Sequence, residues 1–179
     1  MKKVLFVPGI YNFEFYQHYW KKECAKRGYG FLEFDDMFYG YWDFDKMKKM
    51  IKQGREIVKK NPGLIVVCHS FGGILINCIL SGMDNYDVSK LVIIESPLSL
   101  EGMGMRRRKD MLGYERNFRY DCEVFSFGGY LDLIVLFWFT RYVFGRHCNI
   151  LSDHMGILLL PLVVRKILNM SGIYNQNGR

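Results

Sequence analysis

Short apolar runs alternate with longer amphipathic segments along almost the whole chain. The runs predict six strands, at Val4–Val7, Phe31–Phe34, Leu64–Cys68, Leu91–Ile94, Cys122–Phe127 and His147–Leu151. The longer segments predict helices at Glu14–Arg27, Phe44–Lys60, Phe71–Leu80, Leu133–Val143 and Gly156–Met170. Leu64–Cys68 is apolar throughout, which is typical of a strand buried on both faces. This alternation predicts an α/β fold with a doubly wound, mostly parallel sheet.

The pattern continues without repeats or a linker, so we expect a single domain over residues 1–172. The polar residues 173–179 are expected to form a frayed tail. The chain has 179 residues, which is enough for one domain with a sizeable core.

Composition and charge narrow the functional classes. Half of the residues are apolar and the net charge is +7. The densest basic run is "MRRRKD", which contains Arg106–Arg108. Because no aromatic residues are interleaved in this run, a solvated surface segment is favoured over a binding site for nucleic acid or lipid. The five cysteines have no paired spacing, which favours reduced thiols. The first residues lack a long apolar core and no run is long enough to cross a bilayer, which favours a cytoplasmic protein.

The third expected strand leads into "CHSFGG", where Ser70 is followed by Gly72 and Gly73. A sharp strand-to-helix turn would hold the Ser70 hydroxyl beyond the end of the sheet. Such a turn strains the backbone and requires small residues two positions on either side of the serine. Gly72 satisfies this, and Cys68 is small enough. The alternative is that Ser70 is an ordinary helix N-cap.

A nucleophilic serine needs a base, and the chain has four histidines. His154 lies in the loop after the last strand, so we favour it over His147, which begins that strand. His69 is expected to be structural, and His18 to lie on the surface of the first helix. A metal site built from His147, Cys148, Asp153 and His154 matches no strong ligand motif, and we expect neither a metal nor a cofactor.

The acid that orients the base should also follow a strand. Asp132 comes shortly after the fifth strand, in "GGYLDLIV". Its alternative role is the N-cap of the helix at Leu133–Val143. Asp153 and Glu95 are the other candidates for the acid.

Acyl transfer also needs backbone N–H donors for the developing oxyanion. The Phe71 amide, at the start of the helix after Ser70, is one candidate. The other is the Ile10 amide, because Pro8-Gly9 turns the chain just after the first strand.

The order Ser70, Asp132, His154, each after a strand, matches the α/β-hydrolase pattern. Through "FVPGI", "VCHSFGG", "LDLIV" and "SDHMGILL" the chain resembles the small lidless lipases of the Bacillus lipase A type. The resemblance implies an α/β-hydrolase fold with six strands, helices on both faces and a minimal or absent cap. It also implies hydrolysis of carboxylic esters through an acyl-enzyme. It makes Ser70 the nucleophile, His154 the base, Asp132 the acid, and the Ile10 and Phe71 amides the oxyanion hole.

The substrate expected from the resemblance is a small-molecule or lipid acyl ester, with transient contact to a membrane surface as a further option and no nucleic-acid partner. Aromatic residues in "YNFEFYQHYW" and "FDDMFYGYW" are candidates to line the pocket: Tyr11, Phe13, Tyr39, Tyr41 and Trp42. Ordinary packing is the alternative for each. A thioesterase or deacetylase with the same triad, and a catalytically silent binding protein, stay open.

Overall fold

The computed structural model describes residues 1–9, 14–34, 44–96, 118–129, 146–150 and 161–170. Its strands are β1 (Lys3–Val7), β2 (Gly30–Leu32), β3 (Leu64–His69), β4 (Val88–Ile94), β5 (Glu123–Gly129) and β6 (Arg146–Ile150). The helices in these ranges are α1 (Glu14–Lys26), α2 (Phe44–Lys60), α3 (Gly72–Leu80) and α4 (Pro161–Met170). The expected helix at Leu133–Val143 and the tail at 173–179 lie outside the described residues.

The six strands form one sheet in the order β2-β1-β3-β4-β5-β6. Every adjacent pair is parallel, so all strands point their carboxyl ends to the same edge. The central strand β3 is buried along its whole length, because it has neighbours on both sides and helices above and below. The predicted doubly wound α/β sheet is confirmed.

Alternation of side chains along the strands divides the core into two layers. On one face, strand residues such as Val7, Val66 and Ile93 pack against α2 and α3. On the other face, Phe6 and Val67 join a cluster that includes residues of α1 and α4. The expected helices on both faces of the sheet are therefore present.

Several strand bounds differ from the pattern-based expectation; β2, for example, ends at Leu32 rather than Phe34. Strand β4 begins at Val88 rather than Leu91. Its polar first residues find partners in neighbouring segments, because the Ser89 hydroxyl donates to the Gly63 carbonyl at 3.0 Å and the Lys90 ammonium lies 3.0 Å from the Glu123 carboxylate. The buried side chains of α1 include Trp20 and Cys24, whereas the side chain of Phe15, near the start of the helix, is 62% exposed. No helix in the described ranges is long and apolar enough to cross a membrane.

All five cysteines are free thiols, and Cys24, Cys68 and Cys78 are buried. Burial raises the pKa of the Cys24 and Cys78 thiols from 9.0 to about 12, because the thiolate loses its hydration in the apolar interior. Burial raises the pKa of Cys68 as well. These thiols therefore behave as small apolar side chains at neutral pH.

The raised thiol pKa values predict a loss of stability in alkali. An unfolded thiol ionises near pH 9 while a buried one stays neutral to about pH 12, so the folded state holds more protons in this range. The contribution to stability is complete below pH 9 and is lost as the pH rises toward 12. For Cys78 we expect the unfolding free energy to fall by up to about 1.4 kcal/mol per pH unit more steeply than in Cys78→Ala. Urea unfolding between pH 8 and pH 10.5 measures both slopes, and equal slopes would contradict the prediction.

Candidate active site

Ser70 lies in the turn between β3 and α3, at the carboxyl edge of the sheet. Its φ of 51° is in the left-handed region that side-chain-bearing residues rarely adopt. The strand before it is fully buried, whereas Ser70 itself is partly exposed. A strained backbone conformation at Ser70 thus accompanies the partial exposure of this residue at the end of a buried strand.

Hydrogen bonds from both sides hold the turn in place. The Ser70 N–H donates to the Ile94 carbonyl at 3.0 Å, which extends the β3–β4 pairing by one residue. The Ser70 carbonyl accepts from the Gly73 N–H at 3.1 Å and from the Ser96 hydroxyl. The position of Ser70 is therefore tied to β4 as well as to its own helix.

Three glycines make room for this turn. A Cβ on Gly9 would lie 2.7 Å from the Ser70 Cβ and 3.3 Å from its Oγ, so the segment after β1 passes directly beside the hydroxyl. A Cβ on Gly72 would collide with the carbonyl of Val7, and one on Gly73 with the Ser96 hydroxyl. The close approach of β1, the turn and the end of β4 requires glycine at all three positions.

Ser70 is not the N-cap of the helix that follows the turn, which was the alternative role for this serine. Phe71, with φ −57° and ψ −19°, occupies the N-cap position of α3, and it makes no side-chain capping bond. The Phe71 ring is buried in the core on the α2 and α3 face of the sheet. The N-terminal amides of α3 consequently begin one residue after Ser70, where the helix dipole favours negative charge.

The strand register shows which residues share the edge with Ser70. Val7 pairs with Cys68, His69 with Ile94, and Ile94 with Phe127. Continuing these registers past the strand ends places Gly9 beside Ser70, Ser70 beside Glu95, and Glu95 beside Gly128 of β5. Strands β5 and β6 end at this same edge.

Among the described residues, Glu95 shares with Ser70 a left-handed φ, at 44°, and its side chain is fully buried. Its N–H donates to the Phe127 carbonyl at 2.8 Å, which repeats in β4 the arrangement of Ser70 in β3. The Glu95 carboxylate lies 3.9 Å from His69 Nε2, and His69 is also buried. His69 thus faces a carboxylate inside the protein.

The remaining histidines of the described part are away from Ser70. His147 pairs with Ser126 in the sheet, and its Nδ1 lies 2.7 Å from the Ser126 hydroxyl. Three strand spacings separate β3 from β6, about 14 Å across the sheet. His18 is exposed on α1, as expected. No cluster of metal-ligating side chains occurs within the described ranges.

Of the predicted site residues, the structure describes Ser70 and Phe71, which it holds in one turn, and the alternative acid and base, Glu95 and His147. The others lie outside the described residues: Ile10, Tyr11, Phe13, Tyr39, Tyr41, Trp42, Asp132, Asp153 and His154. In the sequence, Asp132 comes three residues after the end of β5 and His154 four residues after the end of β6. Ser96 was not foreseen. Its only sequence signal is a polar residue shortly after an apolar strand.

No protein-family model matches the chain, and no curated protein matches it. Solved structures do. The ydeN gene product of B. subtilis superposes with a TM-score of 0.72 at 14% identity, covering 96% of this chain and 98% of its own. A candidate aryl esterase from Burkholderia cenocepacia gives 0.72 at 11% identity, covering 95% and 88%.

The chain has the α/β-hydrolase fold. A further neighbour, from the metagenome-derived lipolytic enzymes LipS and LipT, superposes with a TM-score of 0.66 at 12% identity, covering 94% of this chain and 92% of its own. The α/β-hydrolase fold expected from the sequence motifs is confirmed, with near-complete coverage of both chains.

The positions two residues before and after Ser70 should respond differently to alanine. Two residues before Ser70, the buried thiol of Cys68 donates to the Val92 carbonyl at 3.3 Å and fills a small space in the core. Cys68→Ala should cost about 1–2 kcal/mol of unfolding free energy and leave the turn intact. Gly72→Ala should cost more, because its Cβ meets the Val7 and Pro8 carbonyls of the backbone. Urea unfolding of both variants measures this difference, and a Gly72→Ala variant as stable as wild type would contradict the described turn.

Proposed function

We propose that the chain is a serine hydrolase that cleaves carboxylic esters through an acyl-enzyme. Ser70 is the nucleophile, His154 the general base and Asp132 the acid that orients it. The amides of Ile10 and Phe71 form the oxyanion hole. The observation that carries this proposal is the strained, partly exposed turn at Ser70, at the carboxyl edge of an α/β-hydrolase sheet.

The chemistry proceeds in two balanced halves. The Ser70 oxygen attacks the ester carbonyl carbon while its proton passes to His154. The tetrahedral intermediate then collapses to the acyl-enzyme, and His154 returns the proton to the departing alcohol. Water repeats the attack with His154 as base, which releases the carboxylic acid and restores Ser70. Amides near the start of α3 suit the negative oxygen of each tetrahedral intermediate.

Two observations support an esterase of this kind. Gly9, which precedes Ile10 in the sequence, passes beside the Ser70 hydroxyl. The fold is shared with proteins described as a candidate aryl esterase and as lipolytic enzymes. For the substrate, we propose a small-molecule or lipid acyl ester, with Tyr11, Phe13, Tyr39 and Trp42 lining the pocket and with transient membrane contact.

A thioesterase or deacetylase with the same triad is the second candidate, since Ser70 and its turn would serve either reaction equally. A hydrolase-like binding protein without turnover is the third, and it is separated from the others by reactivity alone.

Reactivity at Ser70 is tested with a fluorophosphonate probe, which labels activated serines. We expect wild type to be labelled, and Ser70→Ala and His154→Ala to lose labelling and about 10³-fold or more in ester hydrolysis. Ser81→Ala is the matched control, because Ser81 lies at the other end of α3 and its hydroxyl donates to the Asn77 carbonyl. Equal labelling of wild type and Ser70→Ala would overturn the assignment. A series of p-nitrophenyl esters and acyl thioesters then defines the leaving group, and turnover of thioesters alone would replace the esterase by the thioesterase.

The acid is tested by comparing Asp132→Asn with Glu95→Gln and Asp153→Asn. Loss of the acid that fixes the histidine tautomer should lower kcat by about 10²- to 10⁴-fold with little change in KM. We expect this loss for Asp132→Asn only, because the Glu95 carboxylate already faces His69. A larger loss in Glu95→Gln, in a variant that folds as well as wild type, would move the role to Glu95.

A further inference from the structure

The Ser96 hydroxyl occupies space that the missing side chain of Gly73 leaves free. Ser96 is completely buried just beyond the end of β4, and its hydroxyl donates to the carbonyl of Ser70. The hydroxyl sits where a side chain on Gly73 would be, so Gly73 and Ser96 form a matched pair. A buried hydroxyl is costly unless it is hydrogen-bonded, and here its bond goes to the backbone of the candidate nucleophile.

The location of this bond distinguishes it from ordinary packing. Ser70 is held at a φ of 51°, which its own helix does not enforce. The Ser70 N–H is fixed by the Ile94 carbonyl, and the Ser70 carbonyl by the Gly73 amide together with the Ser96 hydroxyl. Both peptide groups of the turn are therefore bound to the end of β4, and Ser96 supplies a side chain to that attachment.

We propose that Ser96 is a positioning residue for the nucleophile. Its hydroxyl fixes the Ser70 peptide group and thereby the direction of the Ser70 oxygen toward the substrate carbonyl. The role rests on the proposed function of Ser70. Misplacement of a reacting group by about 1 Å can lower the rate about 10²-fold, so loss of the clamp should act on the chemical step.

Ser89 offers a matched control in the same pair of strands. Its hydroxyl donates to the carbonyls of Gly63 and Leu64, at 3.0 and 3.2 Å, at the amino end of β3. Ser89 and Ser96 thus make the same kind of bond from β4 to the two ends of β3. Only the bond of Ser96 reaches the turn at Ser70.

The experiment measures the rate of fluorophosphonate labelling, kcat and KM for a p-nitrophenyl ester, and hydrogen exchange of the peptide containing residues 69–73. In Ser96→Ala we expect labelling and kcat to fall about 10- to 100-fold with KM within about twofold of wild type. Exchange in the 69–73 peptide should accelerate. Ser96→Thr keeps the hydroxyl and should recover most of the rate, and Ser89→Ala should behave as wild type in all three measurements.

The outcomes separate the two proposals. Failure of wild type to label, or equal labelling of wild type and Ser70→Ala, would overturn the proposed function and the role of Ser96 with it. Normal labelling of wild type with an unchanged rate in Ser96→Ala, or an equal loss in Ser89→Ala, would overturn the role of Ser96 alone. If Ser96→Ala does not fold, Ser96→Cys decides in the same way, because the thiol fills the space but donates weakly.

Discussion

The left-handed backbone at Ser70 is the constraint on which the rest of the site depends. For an L-residue this conformation costs about 1–2 kcal/mol, so the surrounding structure must hold it in place. Glycines at positions 9 and 72 allow the β1 segment to approach closely, and the end of β4 grips both peptide groups of Ser70. The turn is therefore a product of three strands rather than a local preference of the "CHSFGG" sequence.

The parallel sheet explains why the unusual residues gather where they do. Because every strand points the same way, the ends of β3 and β4 bring two strained residues, Ser70 and Glu95, to adjacent positions. The strand below Ser70 is buried along its whole length, and burial raises the pKa of the Cys68 thiol within it. Ser70 and Glu95 thus lie at the carboxyl edge, which is where ligands bind in open α/β sheets.

Much of this arrangement could be predicted from the sequence. The continuous apolar runs predicted the sheet, and the amphipathic period predicted α2 with its observed bounds, Phe44–Lys60. The spacing around Ser70 predicted a strand, a turn and a helix. The start of β4 was missed because Ser89 and Lys90 are polar and depend on neighbouring chain segments for their partners. Ser96 was missed for the same reason, since a contact with the carbonyl of Ser70 across the sheet leaves no periodic signal.

The dependence of the turn on distant segments also has a consequence for the folding of the chain. Gly9 is separated from Ser70 by about sixty residues, and Ser96 by 26. Contacts of such long range form late in folding, because closing the loops costs entropy before the contacts repay it. A nascent or partly folded chain would hold its serine in a relaxed backbone, as inert as any other. With Ser70 as the proposed nucleophile, reactivity would then arise only once the central strands have assembled, and labelling of Ser70 would report completed folding.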